Sequence, residues 1–410
     1  MSKKESCSRY PELKSAKMSS NEPAVFRLVT YNVQCGIGED KVYDPSRIGK
    51  WLGEQPALDV VCCQEIELND EGQSPHQNVR MGIMHNDNQP KVLADALGWS
   101  TGQHFVVKKL MRREQVNGTA PLETGQGTAT SQISLIREAV MNKNLSSQDK
   151  WIDGEPAVDE KFGWGCAIMT RHEVLQRDTI RIPAQNSTFS SVLGSSRRGL
   201  SQAAGMKIKH SLHFGNTYIV SLHCMADVLG FAIDGTAGSL QLQNVRRVLQ
   251  YLDSNIHEED TDNVLVVGDF NSIAGSGVVR EMHSYQGKWG PYVDCARLCG
   301  NTARTIPKFC GLRIDYVFLA SKSKYLRPIS ASVANIGYSD HFPVTVSFGL
   351  PKTPGSHVDE MRSVASSQLS LARFHRACFI VFLGPVVLAL LPIVVVFFMF
   401  HKCFTLMMKC

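Results

Sequence analysis

Six short segments of this 410-residue chain end in side chains able to do chemistry. They are Tyr31-Asn32, Gln64-Glu65, Leu222-His223, Gly268-Asp269-Phe270-Asn271, Arg313-Ile314-Asp315-Tyr316 and Ser339-Asp340-His341. Their side chains are carboxylates, carboxamides and imidazoles. Carboxylate and amide oxygens are natural ligands of hard divalent cations, and an imidazole exchanges its proton near neutral pH. One Asn or Asp at a strand end is ordinarily a turn former. Six such ends in one chain exceed what turns alone require. Other histidines, such as His76, His85, His104 and His172, have no partner spacing and stay unassigned.

The elements that would carry these groups are legible beside them. Short runs rich in β-branched or aromatic residues, bounded by Gly, Asn, Asp or Pro, predict strands at 26–31, 60–63, 217–222, 264–267, 314–319 and 344–348. Helices are expected at 46–52, after Asp44-Pro45, and at 240–252, where Leu242, Val245, Leu249 and Leu252 share a face. The pattern is mixed α and β, without an internal repeat. Residues 101–160 read as an insertion, with a Gly-, Thr-, Ser- and Gln-rich loop at 117–134. A second Ser- and Gly-rich loop, 185–202, contains Arg197-Arg198, and the polar, Ser-rich stretch after Pro351 suits a linker.

In their order, the six motifs resemble the endonuclease/exonuclease/phosphatase superfamily across roughly residues 26–349. These are magnesium-dependent phosphoesterases that include pancreatic deoxyribonuclease, abasic-site endonucleases, neutral sphingomyelinases and inositol polyphosphate 5-phosphatases. The resemblance implies an α+β fold, a four-layer sandwich of two central β-sheets flanked by helices, with the active site where strand-end loops converge. A phosphodiester is anionic and repels hydroxide, so a divalent cation is needed to neutralise the transition state. By the resemblance Glu65 is the principal ligand of Mg2+, for which Mn2+ could substitute. Asn32 is a metal ligand beside Glu65 or contacts the phosphate, and Asp340 is a candidate further ligand. His341 is a candidate general base oriented by Asp315, and Asp269 competes for that role. Asn271 positions Asp269 or a phosphate oxygen, and His223 donates a hydrogen bond to the developing oxyanion. Arg198 could reach the substrate phosphate, or be only a solvated loop arginine.

Within the family, the 5-phosphatases carry an aromatic residue after Gly-Asp-x-Asn and a Trp-Cys-Asp-Arg motif. Here the corresponding residues are Asn271-Ser272 and Arg313-Ile314-Asp315-Tyr316, which disfavours that subgroup. The sphingomyelinases and uncharacterised metal-dependent hydrolases are nearer. They share Tyr31-Asn32-Val33, Asp44-Pro45-Ser46-Arg47, Asp59-Val60-Val61 and the run from Tyr338 to Val344.

Composition and charge then bound the partners. With 43% hydrophobic and 20% charged residues, the chain is not of the disordered class. The net charge of +5 would suit nucleic acid if it were spread over the body. Residues 351–410 carry +4 and residues 1–25 carry +2, leaving 26–350 at −1. No global basic footprint remains. Ala377 to Phe400 is 24 residues without a charged side chain. As a helix it would be about 36 Å long, enough for a hydrocarbon core of about 30 Å, so a transmembrane helix is expected. Met1–Ser20 lacks the apolar run of a secretory signal. A C-terminal tail anchor follows, with the catalytic domain in the cytosol, since Arg373 and Arg376 precede the span. The twelve cysteines lack paired C-x-x-C spacing and suit reduced, buried thiols.

The expected organisation is a polar tail at 1–25, a catalytic domain at 26–349, a linker at 350–376, the span at 377–400 and a short tail at 401–410. The expected function is that of a membrane-anchored, Mg2+-dependent phosphodiesterase. Its expected substrate is a sphingolipid or phospholipid headgroup, cleaved in the manner of a phospholipase C. The competing reading is a nuclease or nucleotide phosphodiesterase anchored only for location. A scaffold on a dead catalytic fold is disfavoured, because every expected catalytic position is filled.

Overall fold

The structure is a computed structural model that describes residues 24–69, 87–99, 103–108, 162–180, 182, 202–210, 213–224, 240–307, 311–353 and 357–378. Its strands are β1 (Phe26–Asn32), β2 (Val60–Asn69), β3 (Gln103–Lys108), β4 (Phe162–Thr170), β5 (Glu173–Ile180) and β6 (Gln202–Lys209), then β7 (Asn216–His223), β8 (Asn263–Asp269), β9 (Tyr292–Asp294), β10 (Asp315–Ala320), β11 (Arg327–Val333) and β12 (Val344–Gly349). The helices are α1 (Pro45–Glu54), α2 (Gln89–Ala96), α3 (Leu240–Asn255), α4 (Gly277–Ser284), α5 (Cys295–Leu298) and α6 over residues 357–378.

These strands form two six-stranded mixed sheets, ordered β11-β12-β1-β2-β4-β3 and β5-β6-β7-β8-β10-β9. Each has one parallel pair near its middle, β1 with β2 and β7 with β8, and antiparallel neighbours outside. The interior lies between the sheets, where Phe26, Leu28, Val60 and Cys62 meet Ile219, Leu265, Val267 and Val317. Alternate residues of the same strands face outward onto helices. Val264 and Val266 pack with Val245, Leu249 and Val279 of α3 and α4, and Val29, Val61 and Cys63 pack with Ile48, Leu52 and Leu93 of α1 and α2. Central strands buried on both faces are apolar at nearly every position, which is why β8 was so readable in the sequence. The layers run helix, sheet, sheet, helix, as expected. Among the described residues no disulfide forms, and Cys62, Cys63, Cys224 and Cys295 are buried thiols.

Two stretches differ from the sequence reading. The first residues of the expected insertion, 103–108, are strand β3, paired with β4 at the edge of its sheet. The remainder of that insertion, most of the 185–202 loop with Arg198, and residues 1–23 lie outside the described residues. The expected linker, 350–376, is helical from 357 onward. His357, Met361, Ala365, Gln368 and Ala372 are its buried stripe, spaced as one face of a helix requires. Its serines occupy the exposed side, so the polar composition masked a docked helix. Among the described residues no helix is long and apolar enough to cross a membrane. The expected span lies outside them from residue 379 on, as does the 401–410 tail.

Candidate active site

The parallel pairs place their C-terminal ends together, one pair from each sheet. In the first sheet Asn32 sits in register with Gln64. The pairing of β2 with β4 then skips a residue between Gln64 and Ile66. Glu65 is that bulged residue, with φ +50, a left-handed conformation that costs a non-glycine residue about 1–3 kcal/mol and clusters at functional sites. In the second sheet His223 is in register with Asp269, and Asp269 with Asp315 across the antiparallel β8–β10 pair. Gly268 allows the close approach. Its φ is +137, and a Cβ there would lie 1.9 Å from the Leu222 carbonyl oxygen. Asn271 also has a positive φ, +47, which returns its side chain to the site.

The two halves are bonded directly. Asn32 Nδ2 donates to Asp269 Oδ2 at 3.0 Å and to Glu65 Oε1 at 3.4 Å. Gln64 Nε2 donates to Ser221 Oγ in the other sheet at 3.0 Å. His223 Nε2 lies 3.7 Å from both Glu65 Oε1 and Asp269 Oδ2. Asp269 accepts from the Asn271 backbone N–H at 2.8 Å and from Asn271 Nδ2 at 3.2 Å, and Asn271 Nδ2 also donates to the Cys224 carbonyl at 2.7 Å. His341 Nδ1 meets Asp315 Oδ2 at 3.0 Å and Oδ1 at 3.2 Å, while its Nε2 lies 3.7 Å from Asp269 Oδ2.

Asn32, Glu65, His223, Asp269, Asn271, Asp315 and His341 are therefore one cluster. Asn32 presents its amide nitrogen, not its oxygen, to the two carboxylates, and its Oδ1 accepts the Gln34 N–H at 3.1 Å. In this arrangement it holds Glu65 and Asp269. Asp340 is half-buried beside His341, at the rim of the cluster.

Several residues carry positioning roles that the sequence did not assign, Ser339 and Arg313 inside the six motifs and Thr305 and Asp294 outside them. Ser339 Oγ donates to the Asn32 carbonyl at 2.7 Å and accepts the His341 N–H at 3.2 Å, clipping the histidine loop to β1. Thr305 Oγ1 accepts the N–H groups of Ile314 and Asp315 at 3.0 and 3.2 Å, and its carbonyl accepts from Phe342 at 2.6 Å. Arg313 makes a buried bidentate pair with Asp294 at 2.6 and 2.7 Å and lies over the Tyr316 ring, bracing the start of β10. Hydroxyls that tie backbone to backbone have no sequence spacing of their own. Only the Arg313–Asp294 pair left a signal, as charges amid apolar runs.

The electrostatics follow from burial and crowding. Burial pushes the Asp269 carboxyl up to about 8, aided by the negative charge of Asp315. Burial by itself would lower His341, but Asp315, then Asp269 and more weakly Asp340, outweigh it and hold the imidazolium up to about 10. Glu65, Asp269 and Asp315 share this region with two histidines. Hard oxygen donors with excess negative charge fit a divalent cation such as Mg2+ better than a thiophilic ion.

Among the described residues, Asp269, Asp315 and His341 form one group with donor atoms within 4.8 Å of one another, and Asp59, His172 and His210 form a second. The second lies at the start of β2, about 20 Å along the strand direction from Glu65 by strand rise. There Asp59 Oδ1 is already taken by Arg171 at 2.7 and 3.0 Å and by His172 at 2.8 Å, and Oδ2 by the Arg27 N–H at 2.7 Å. It is a structural ion-pair cluster remote from the strand-end site.

Among solved structures, the chain is similar to an endonuclease/exonuclease/phosphatase from Beutenbergia cavernae, with 17% identity over 80% of this chain and 72% of that one, at a TM-score of 0.48. The human Nocturnin catalytic domain with bound sulfate matches at 16% identity over 80% and 94% of the two chains, at a TM-score of 0.47. A mannosyl-6-phosphatase of Bacteroides thetaiotaomicron matches at 13% identity over 79% and 99%, at a TM-score of 0.45. No curated protein matches the sequence. The profile of the Endonuclease/Exonuclease/phosphatase family matches residues 29–341, the stretch that runs from β1 to His341. The chain belongs to the endonuclease/exonuclease/phosphatase family, whose members are divalent-metal-dependent phosphoester hydrolases.

Proposed function

We propose that this protein is a membrane-anchored, Mg2+-dependent phosphodiesterase that cleaves a sphingolipid or phospholipid headgroup in the manner of a phospholipase C. One observation carries the chemistry: a largely buried cluster of three carboxylates, two carboxamides and two imidazoles, gathered from both sheets around the C-terminal ends of their parallel pairs. The 24-residue apolar run from Ala377 carries the address, because tethering raises the effective concentration of the site toward headgroups. The near-neutral body argues against a polynucleotide substrate, which needs a basic track.

In this reading Glu65 holds the cation, with Asp340 as a further oxygen donor at the rim. When bound, the cation neutralises charge on the phosphoryl oxygens as a Lewis acid. Asn32 and Asn271 fix the Asp269 carboxylate through donated hydrogen bonds. Asp269 takes the proton of the attacking water, a task suited to a carboxyl whose pKa is raised toward neutrality. His341, clasped by Asp315, keeps its proton and faces the phosphate as a cation, so that of the two candidate bases we favour Asp269. His223 donates a hydrogen bond to the developing oxyanion.

The test is a panel of labelled substrates given to the full chain in proteoliposomes with Mg2+. Release of phosphorylated headgroup from sphingomyelin or phosphatidylcholine, lost with EDTA, supports the proposal. Cleavage of RNA or abasic DNA with lipids untouched replaces it with the nuclease reading.

A further inference from the structure

The C-terminal helix α6 is fastened to the catalytic body along its whole described length. His357 Nε2 lies 2.9 Å from the Leu326 carbonyl oxygen, and Arg327 pairs with Glu360 at 2.8 Å. Met361 and Ala365 are buried against Val293 of β9. Gln368 grips the backbone of Asp294 from both sides, accepting its N–H at 2.9 Å and donating to its carbonyl at 3.1 Å. Further on, the helix meets the loop that follows the Gly-Asp-Phe-Asn motif. A Cβ on Gly275 would lie 3.3 Å from both Arg376 N and His375 Cβ. Gly275 stands four positions after Asn271 of the active site, and the 24-residue apolar run begins at Ala377, immediately after Arg376.

A flexible linker of about 25 residues would let its ends wander by roughly 25–30 Å and the body tumble beneath its anchor. A helix docked to residue 376 removes that freedom. The helix therefore ends beside the loop that follows Asn271 of the strand-end site. The last turns of α6 also carry the surface chemistry of a membrane interface. Phe374 is 63% exposed and Leu371 39% exposed, and Arg373 is exposed between them. Amphipathic segments that combine exposed apolar and basic side chains lie in the headgroup region.

We infer that α6 is a rigid strut that holds the active-site end of the sandwich against an anionic bilayer, with Leu371, Phe374, Arg373, Arg376 and the 273–275 loop on the lipid surface. This rests on the membrane reading of residues 377–400 and deepens it from a tether to a fixed orientation. The opposite end, where the exposed Glu258 and Glu259 precede β8, then faces away. It lies about 20 Å from Asp269 along β8 by strand rise.

The test uses the full chain in phosphatidylserine-containing liposomes, with p-benzoylphenylalanine in place of Phe374, Ala274 or Glu259. Photolysis is expected to cross-link lipid at 374 and 274 but not at 259. In a second arm, a flexible Gly-Ser insertion of about a dozen residues between Arg376 and Ala377 frees the body and leaves the site untouched. Lipid turnover should fall about tenfold, while a soluble phosphodiester is hydrolysed at the unchanged rate. Equal cross-linking at 259 and 274, or lipid turnover unchanged by the insertion, overturns the orientation although the chain floats with the vesicles. A chain that fails to float after a carbonate wash overturns the membrane reading and the strut together.

Discussion

Replacing Asp315 with Asn keeps the size of the side chain and removes one charge. The native carboxylate meets His341 Nδ1 at 3.0 and 3.2 Å, and both groups are buried. Burial works to strip His341 of its proton. Asp315, followed by Asp269, reverses that and holds the imidazolium up to about 10. Relative to an ordinary imidazole near 6.5, this corresponds to about 5 kcal/mol at roughly 1.36 kcal/mol per pKa unit. It is shared by Asp315, Asp269 and, more weakly, Asp340, with Asp315 nearer to the ring than Asp269. In the variant, burial is opposed only by Asp269 and, more weakly, by Asp340, so the pKa of His341 falls.

If the imidazolium neutralises charge on the phosphoryl group, kcat/KM near neutral pH falls by about 10²–10⁴-fold, with partial recovery as the pH is lowered. The same change shifts stability. The folded pKa of His341 lies above its unfolded value, so its contribution is fully present below about pH 6.5 and is lost as pH rises through about 10. The wild type should therefore lose its stability advantage over Asp315→Asn in the alkaline range. The assay is kcat/KM on a soluble phosphodiester with saturating Mg2+, from about pH 5 to about pH 10, paired with thermal melts. A variant within about threefold of wild type, with a superimposable pH profile, refutes the cationic role of His341.

Three further outcomes are expected. Gly268→Ala sets a Cβ 1.9 Å from a backbone carbonyl at φ +137, whereas Gly300→Ala, at φ +75, meets nothing within 4 Å; denaturant titration should show a loss of about 3 kcal/mol or more for the first and about 1 kcal/mol for the second. Mg2+ at about 100 times its Kd should stabilise the protein by about 2.7 kcal/mol, and Glu65→Gln should shrink that shift in the melting temperature. Burial would raise Asp59, but hydrogen bonds from His172, His210 and Arg27 and the charge of Arg171 hold its carboxyl well below the usual range. Its stabilisation is present above about pH 4 and lost as pH falls further, so Asp59→Asn should cost about 3 kcal/mol at neutral pH and flatten the acid limb of the stability curve.

The parts of the fold legible in sequence are those whose physics is local. Strands β1, β7, β8 and β10 read clearly because central strands are apolar at nearly every position and carry a functional polar group at one end, as with Val264–Val267 before Asp269, while β12 reads through the alternation of Val344, Val346 and Phe348 with Thr345 and Ser347. Strand β2 read short because the bulge at Glu65 breaks its period. Strand β6 was missed because its Ala203, Ala204 and Gly205 give no β-branched signal; a Cβ on Gly205 would strike Tyr218 Oη, so small residues are required by a partner far along the chain. Helix α6 was read as a linker because its buried stripe is built from Ala, His and Gln beside a single Met. The reactive residues were legible as a set, because strand ends collect them. Their pairing was not, since Asn32 and Asp269 are 237 positions apart and the reach of Thr305 and Ser339 exists only in the folded chain.

The most direct measurement of the central claim is hydrolysis of a soluble phosphodiester by the full chain with Mg2+, with EDTA, and in the Asp269→Asn variant. The expected result is Mg2+-dependent turnover that EDTA abolishes and Asp269→Asn lowers by at least about 10²-fold without loss of fold. Turnover that survives both EDTA and Asp269→Asn, or no phosphoester hydrolysis with any divalent cation, contradicts it.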